Sequence, residues 1–234
     1  MRAKATSIDS ISRTPPRWPG AIAWGLMTLL SLYVAIHGLS YLFGAQAPPV
    51  VEDNGMGMTV LMVHAGAAGA ALLLGPFQFL EFIRKRARAL HRWIGRTYLL
   101  ACLVGGVAGG LLAPFTAAGP IAASGFLLLA LVSLWVNALG WRAAAVKRNF
   151  DEHKNWMIRS FSLILGAVTL RLYLPAAMMA GADFVSAYQW IAWLCWVPNL
   201  AIAEAWIASR RRANFAPSRQ RAYASSERPA ALGD

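Results

Sequence analysis

The chain has 234 residues, of which 58% are hydrophobic and 14% charged, whereas a soluble domain is roughly 45–50% apolar and about 25% charged. That balance excludes a water-soluble globular or disordered protein as a first reading. The 22 Lys and Arg against 10 Asp and Glu leave a net charge of +12, which beside so much apolar chain points to a membrane surface and not to nucleic acid.

A hydrocarbon core about 30 Å thick takes roughly 20 apolar residues of helix. Six stretches qualify, at Ile22–Phe43, Met58–Ile83, Thr97–Phe115, Ile121–Trp141, Trp156–Ala180 and Tyr188–Ala208. The expected fold is therefore all-α, an integral membrane six-helix bundle. A basic segment (residues 1–20) precedes the six-span domain (21–208), and a basic tail (209–234) expected to be disordered follows it. The first span is read as a retained anchor. Ala45-Gln46-Ala47 has the form of a cleavage site, but the apolar run exceeds the roughly 7–15 residues of a signal peptide's hydrophobic core region.

Every Lys and Arg except Arg171 falls before the first span, between the second and third, between the fourth and fifth or in the entry turn of the fifth (Arg159), or after the sixth. The positive-inside rule then places both termini in the cytoplasm, with the bacterial inner membrane as the expected location and anionic lipid meeting the basic loops. Cys102 and Cys195 both lie inside apolar runs, so neither a disulfide framework nor a zinc motif is indicated.

Four histidines divide by depth. His37 and His64 lie near the outer ends of the first and second spans, about 9 Å inside. His91 and His153 lie at the inner boundary, ahead of the third and fifth spans. Imidazoles at matched depth on neighbouring helices are what axial ligation of haem iron requires, and two such pairs would carry electrons across the bilayer. Histidines satisfied by ordinary hydrogen bonds are the alternative. Gly66, Gly69, Gly105, Gly106, Gly109 and Gly110 read as close helix packing, or as room for a flat macrocycle.

Trp93-Ile94-Gly95-Arg96-Thr97-Tyr98 is echoed by Trp156-Met157-Ile158-Arg159-Ser160-Phe161, which suggests a duplicated helical hairpin. Arg96 and Arg159 either anchor their helices with the adjacent tryptophans or hold an anionic group. Arg171, within the fifth span, reads as a structural arginine or as an anion or propionate clamp, with Asn199 as its expected neighbour. Gln78 and Glu81 are expected on one face of the second span, Glu81 near Arg84 or Lys85, and Asn137 in a bond across helices. Glu204 is expected to be neutralised by the tail arginines.

His64-x-Gly66, Gly75-Pro76-Phe77-Gln78-Phe79, His91-Arg92-Trp93-Ile94-Gly95-Arg96-Thr97-Tyr98, His153-x-x-Trp156-Met157-Ile158-Arg159 and Leu170-Arg171-Leu172 together resemble domain-of-unknown-function family 2306, predicted bacterial multi-span membrane proteins. The resemblance covers about residues 55 to 208. It implies the spans and a polar set of His64, His91, His153 and Arg171, without an activity. A looser similarity to two-haem b-type cytochromes and transmembrane ferric reductases implies haem b on His37, His64, His91 and His153, with a redox partner or quinol. The competing expectations are a haem-free transporter or binding protein with Arg171 as its anion site, and a non-catalytic membrane assembly protein. Oligomeric state stays open.

Overall fold

The computed structural model describes residues 18–43 and 56–226 of the chain. In chain order the helices are α1 (Trp18–Ser40), α2 (Met58–Gln78), α3 (Glu81–Arg86), α4 (Arg88–Leu112), α5 (Pro120–Ala145), α6 (Phe150–Ile164), α7 (Gly166–Met179), α8 (Phe184–Leu194) and α9 (Val197–Ser226). Short 3-10 turns, Tyr41–Phe43 and Ala113–Phe115, extend α1 and α4. Six segments are long and apolar enough to cross a membrane, with α6–α7 forming the fifth and α8–α9 the sixth. The cleavage-like Ala45-Gln46-Ala47 lies outside the described residues. The last helix continues to Ser226, past the start of the tail expected to be disordered.

Two boundaries differ from the hydropathy reading. The third span begins at Arg88 and not at Thr97. Its first turns carry Arg88, His91, Arg92 and Arg96 on an amphipathic helix, a pattern that lowers mean hydropathy without breaking the helix. The second span ends at Gln78, and Glu81 starts the separate short helix α3. Gln78 and Glu81 therefore do not share one helical face. Glu81 pairs with Lys85 at 2.5 Å on α3.

In lipid no hydrophobic force draws helices together, so close packing of small residues must hold them. A Cβ built on Gly38 would stand 2.9 Å from the Ala65 carbonyl oxygen, and one on Gly69 3.0 Å from that of Ala35. The backbones of α1 and α2 thus meet directly. Gly105 brings α4 equally close to α2, where its Cβ would lie 3.3 Å from the Ala68 nitrogen. Around this interior, Leu29, Ile36, Leu100, Trp135, Trp190 and Ile202 are exposed on the outer surface. An apolar perimeter of this kind suits lipid, not water.

One buried polar chain ties the middle of the bundle. Ser160 on α6 donates to Asn137 Oδ1 on α5 at 2.8 Å and shares a 2.7 Å hydrogen bond with Tyr98 on α4. Asn137 Nδ2 donates to the Ser133 carbonyl at 2.8 Å. Asn137 does bond across helices as its position suggested, and Thr/Ser-aromatic positions of the two echoed motifs supply the other members.

Spans five and six are both interrupted. Pro198 has no N–H to return to the Leu194 carbonyl, so α8 ends there and α9 begins after a turn at Cys195 and Trp196. The fifth span turns at Leu165. The two interruptions lie against each other, because a Cβ on Gly166 would meet the Cys195 carbonyl oxygen and Trp196 Cβ, each at 3.4 Å. At the far end, Asp183 caps α8 by accepting from the Ser186 N–H at 3.0 Å. Those backbone donors hold its carboxyl below the usual range.

Candidate functional site

The polar side chains singled out by the sequence collect at two levels. At the end away from the basic loops, His64 projects from α2 toward α4. Its Nδ1 hydrogen bonds the Gly105 carbonyl at 2.8 Å. Gly109 makes room for the ring, since a Cβ there would stand 2.8 Å from Cε1 and 2.9 Å from Nδ1. A carbonyl can only accept, so Nδ1 carries the proton and Nε2 keeps a lone pair. Arg171 of α7 acts electrostatically on this ring.

Arg171 is half-buried within the fifth span, and its guanidinium Nη1 donates to the Ala167 carbonyl one turn below at 3.1 Å. Tyr41 at the end of α1 and Tyr188 on α8 lie within its electrostatic range. Among the described residues no carboxylate pairs with it: Glu81, Glu152 and Glu204 are engaged by Lys85, Lys147 and Arg159, Asp183 caps α8, and Asp151 lies in the first turn of α6. Glu52 and Asp53 lie outside the described residues. Four of the five guanidinium N–H groups thus have no protein acceptor among the described residues. The expected neighbour Asn199 is not one of its partners. Asn199 Nδ2 donates instead to Thr169 Oγ1 and to the Cys195 carbonyl, both at 2.9 Å.

His37 and His64 are engaged separately. His37 is exposed on α1, and its Nε2 shares a hydrogen bond with Tyr41 Oη at 3.2 Å. The glycines read as room for a macrocycle are filled. Leu42 stands over Gly66, Leu39 beside Gly69, Ala67 beside Gly105, Leu134 over Gly106 and Ala130 beside Gly110, while His64 itself covers Gly109. They are helix contacts, which gives no geometric support to an outer haem between His37 and His64.

At the basic end, His91 and His153 are brought within electrostatic range of each other. His153 on α6 hydrogen bonds the Gly140 carbonyl through Nδ1 at 2.9 Å, again leaving Nε2 with a lone pair. His91 Nδ1 and Gln78 Nε2 are buried without hydrogen-bond partners. A Cβ on Gly95 would lie 3.3 Å from Gln78 Oε1, so Gln78 packs on the same helix that carries His91. No group of three or more His, Cys, Asp or Glu converges among the described residues as a metal site.

The two echoed motifs share a local geometry. Arg96 stacks over Trp93 at 5.6 Å, and Arg159 over Trp156 at 4.5 Å. They then diverge. Arg159 reaches the sixth span and holds Glu204 in a two-pronged ion pair, with Nη2 to Oε2 at 2.9 Å and Nε to Oε1 shorter still. Glu204 is therefore neutralised first by Arg159 of span five; Arg211 of the tail lies within electrostatic range.

Six apolar segments around a buried polar interior define a polytopic α-helical integral membrane protein. The chain belongs to the family described as predicted membrane protein (DUF2306), which matches residues 61–207. The match takes in spans two to six, with His64, His91, His153 and Arg171. No curated protein and no solved structure matches the chain.

Proposed function

We propose that this is a membrane binding or transport protein whose site, in the half of the bundle away from the basic loops, takes an anionic group on Arg171. The observation that carries the reading is the Arg171 guanidinium itself. It is a cation within a span, bonded to its own helix at Ala167 and within electrostatic range of His64, Tyr41, Tyr188 and Tyr33, with no carboxylate partner among the described residues. An intramembrane cation is expensive to bury, and such residues mark binding sites and conduction paths more often than scaffolding. A carboxylate or phosphate would accept two guanidinium N–H bonds at once. With the positive-inside orientation as part of this reading, the site lies in the outer leaflet half of the bacterial inner membrane.

Thermal unfolding of the purified protein in detergent tests the reading, with dodecanoate and dodecyl phosphate as anionic probes and dodecyl trimethylammonium as the control. At 100 times Kd, binding stabilises by about 2.7 kcal/mol, which at roughly 2–4 °C per kcal/mol is a rise of several degrees in Tm. The rise is expected for wild type with the anions and is expected to vanish in Arg171→Gln. If it emerges only when Glu52→Gln and Asp53→Asn are combined, Arg171 already has an internal counter-ion and the anion site is wrong.

A second reading has one observation in its favour. His91 and His153 lie within electrostatic range of each other at the basic end, His153 with its Nδ1 proton held by the Gly140 carbonyl and His91 with a buried nitrogen unpartnered. A carbonyl accepting from one ring nitrogen commonly orients a histidine that ligates through the other. Haem b held there would supply one-electron chemistry, with a redox partner or quinol exchanging the electron. A Soret band lost in both His91→Ala and His153→Ala, and retained in His37→Ala, supports it. A colourless folded protein from cells supplied with haem precursor rules it out.

A further inference from the structure

A second feature lies where the two interrupted spans cross, in a cleft whose lining does not include Arg171. A cleft of about 280 Å³ opens sideways between the first and sixth spans. Met27 and Leu30 of α1 form one wall, and Leu165 and Leu172 of span five the other, with Thr169 and Asn199 as its polar residues.

The hydrogen bonds of Asn199 decide what the cleft can accept. Thr169 Oγ1 donates its single proton to the Leu165 carbonyl at 3.1 Å. It therefore accepts from Asn199 Nδ2. The second Nδ2 hydrogen goes to the Cys195 carbonyl. Both amide donors are spent within the bundle, and the threonine proton is spent too. What Asn199 has left is Oδ1, which can only accept.

We infer that this cleft is a binding site for a membrane-soluble molecule that carries a hydroxyl group on an apolar chain, the hydroxyl donating to Asn199 Oδ1. Entry is from the lipid, because Leu30 and Leu172, one on each wall, are both exposed on the apolar perimeter of their spans. The walls are aliphatic, so the chain lies along Met27 and Leu30. A ligand that offers an acceptor alone leaves Oδ1 unpaired in an apolar setting, and sites built on a hydrogen bond discriminate strongly against such analogues. Fatty alcohols and quinols share the required donor. Ethers and quinones lack it. This inference does not rest on the Arg171 site.

Equilibrium binding to the full chain in lipid nanodiscs tests it with two matched pairs, dodecanol against dodecyl methyl ether and decylhydroquinone against decylbenzoquinone. In at least one pair the hydroxyl member is expected to bind about tenfold tighter. The pair that shows the preference identifies the ligand as an alcohol or a quinol. The preference is expected to disappear in Asn199→Leu, and binding of both members to weaken in Leu30→Trp, which fills the cleft from the opposite wall without touching the Asn199 bonds. Should Asn199→Leu fail to fold, Leu30→Trp carries the test alone. Equal binding within both pairs, no binding of any probe, or an undiminished preference in Asn199→Leu overturns the inference. Arg171→Gln is expected to leave these affinities unchanged, so the two sites fail or stand separately.

Discussion

At the scale of single residues, the absence of a side chain is what seats His64. Gly109 presents bare backbone to the imidazole, and Gly105 one turn earlier presents its carbonyl to Nδ1. Gly110, on the neighbouring face, has more space, with the nearest atom 3.5 Å from a built Cβ. Gly109→Val is therefore expected to displace the ring, break the bond to Gly105 and cost about 1–3 kcal/mol through overpacking. Gly110→Ala is expected to be close to neutral. Thermal unfolding of the two variants in the same detergent checks this, and equal Tm values for both would show that His64 is not held by that contact. Neither the identity of the Gly105 carbonyl nor the choice of Gly109 over Gly110 is readable from the chain. A run of glycines in a span announces close packing, but which glycine faces which neighbour depends on rotation about the helix axis.

The same distinction between depth and direction runs through the helical elements. Depth follows from a rise of about 1.5 Å per residue, and on that reasoning the sequence puts His91 and His153 at one level; the fold brings them within electrostatic range of each other. It placed Asn199 near Arg171 on the same reasoning, yet Asn199 turns to Thr169 and the Cys195 carbonyl. Glu204 likewise finds Arg159, 45 residues earlier in the chain. Pro198 signals the break in span six by its chemistry, but the matching turn at Leu165 has no proline within reach, and only the packing of Gly166 on Cys195 and Trp196 shows the two breaks to be one unit. Gly166→Val is accordingly expected to separate them. Cys195, 1% exposed, should then react with the lipid-soluble reagent N-phenylmaleimide faster than in wild type, while buried Cys102 on α4 should not change. Peptide mass spectrometry separates the two thiols. A parallel rise at Cys102 would mean general loosening, and no rise at Cys195 would mean that the crossing tolerates a branched side chain.

For the molecule as a whole, the charge distribution and the helix order make one demand together. Six crossings return the chain to the side on which it began. The loops at residues 79–87 and 146–149 therefore share an end with the basic stretch at Arg210–Arg212, and the turn at Gly181 stands at the other. A cation left on the trans side of an energised membrane works against the potential that favours its retention, about 2.3 kcal/mol per charge at 100 mV. The orientation proposed on that asymmetry has the basic end in the cytoplasm and the Arg171 and His64 level in the opposite half of the bundle. Single cysteines introduced at two exposed positions test the arrangement in intact cells. Ala182→Cys is expected to react with a membrane-impermeant maleimide from outside, and Arg86→Cys only after the membrane is opened. The reverse pattern would turn the molecule over. Arg171 would then take its anion from the cytoplasmic half, and the anionic-lipid contact expected of the arginine-rich loops would be lost with it.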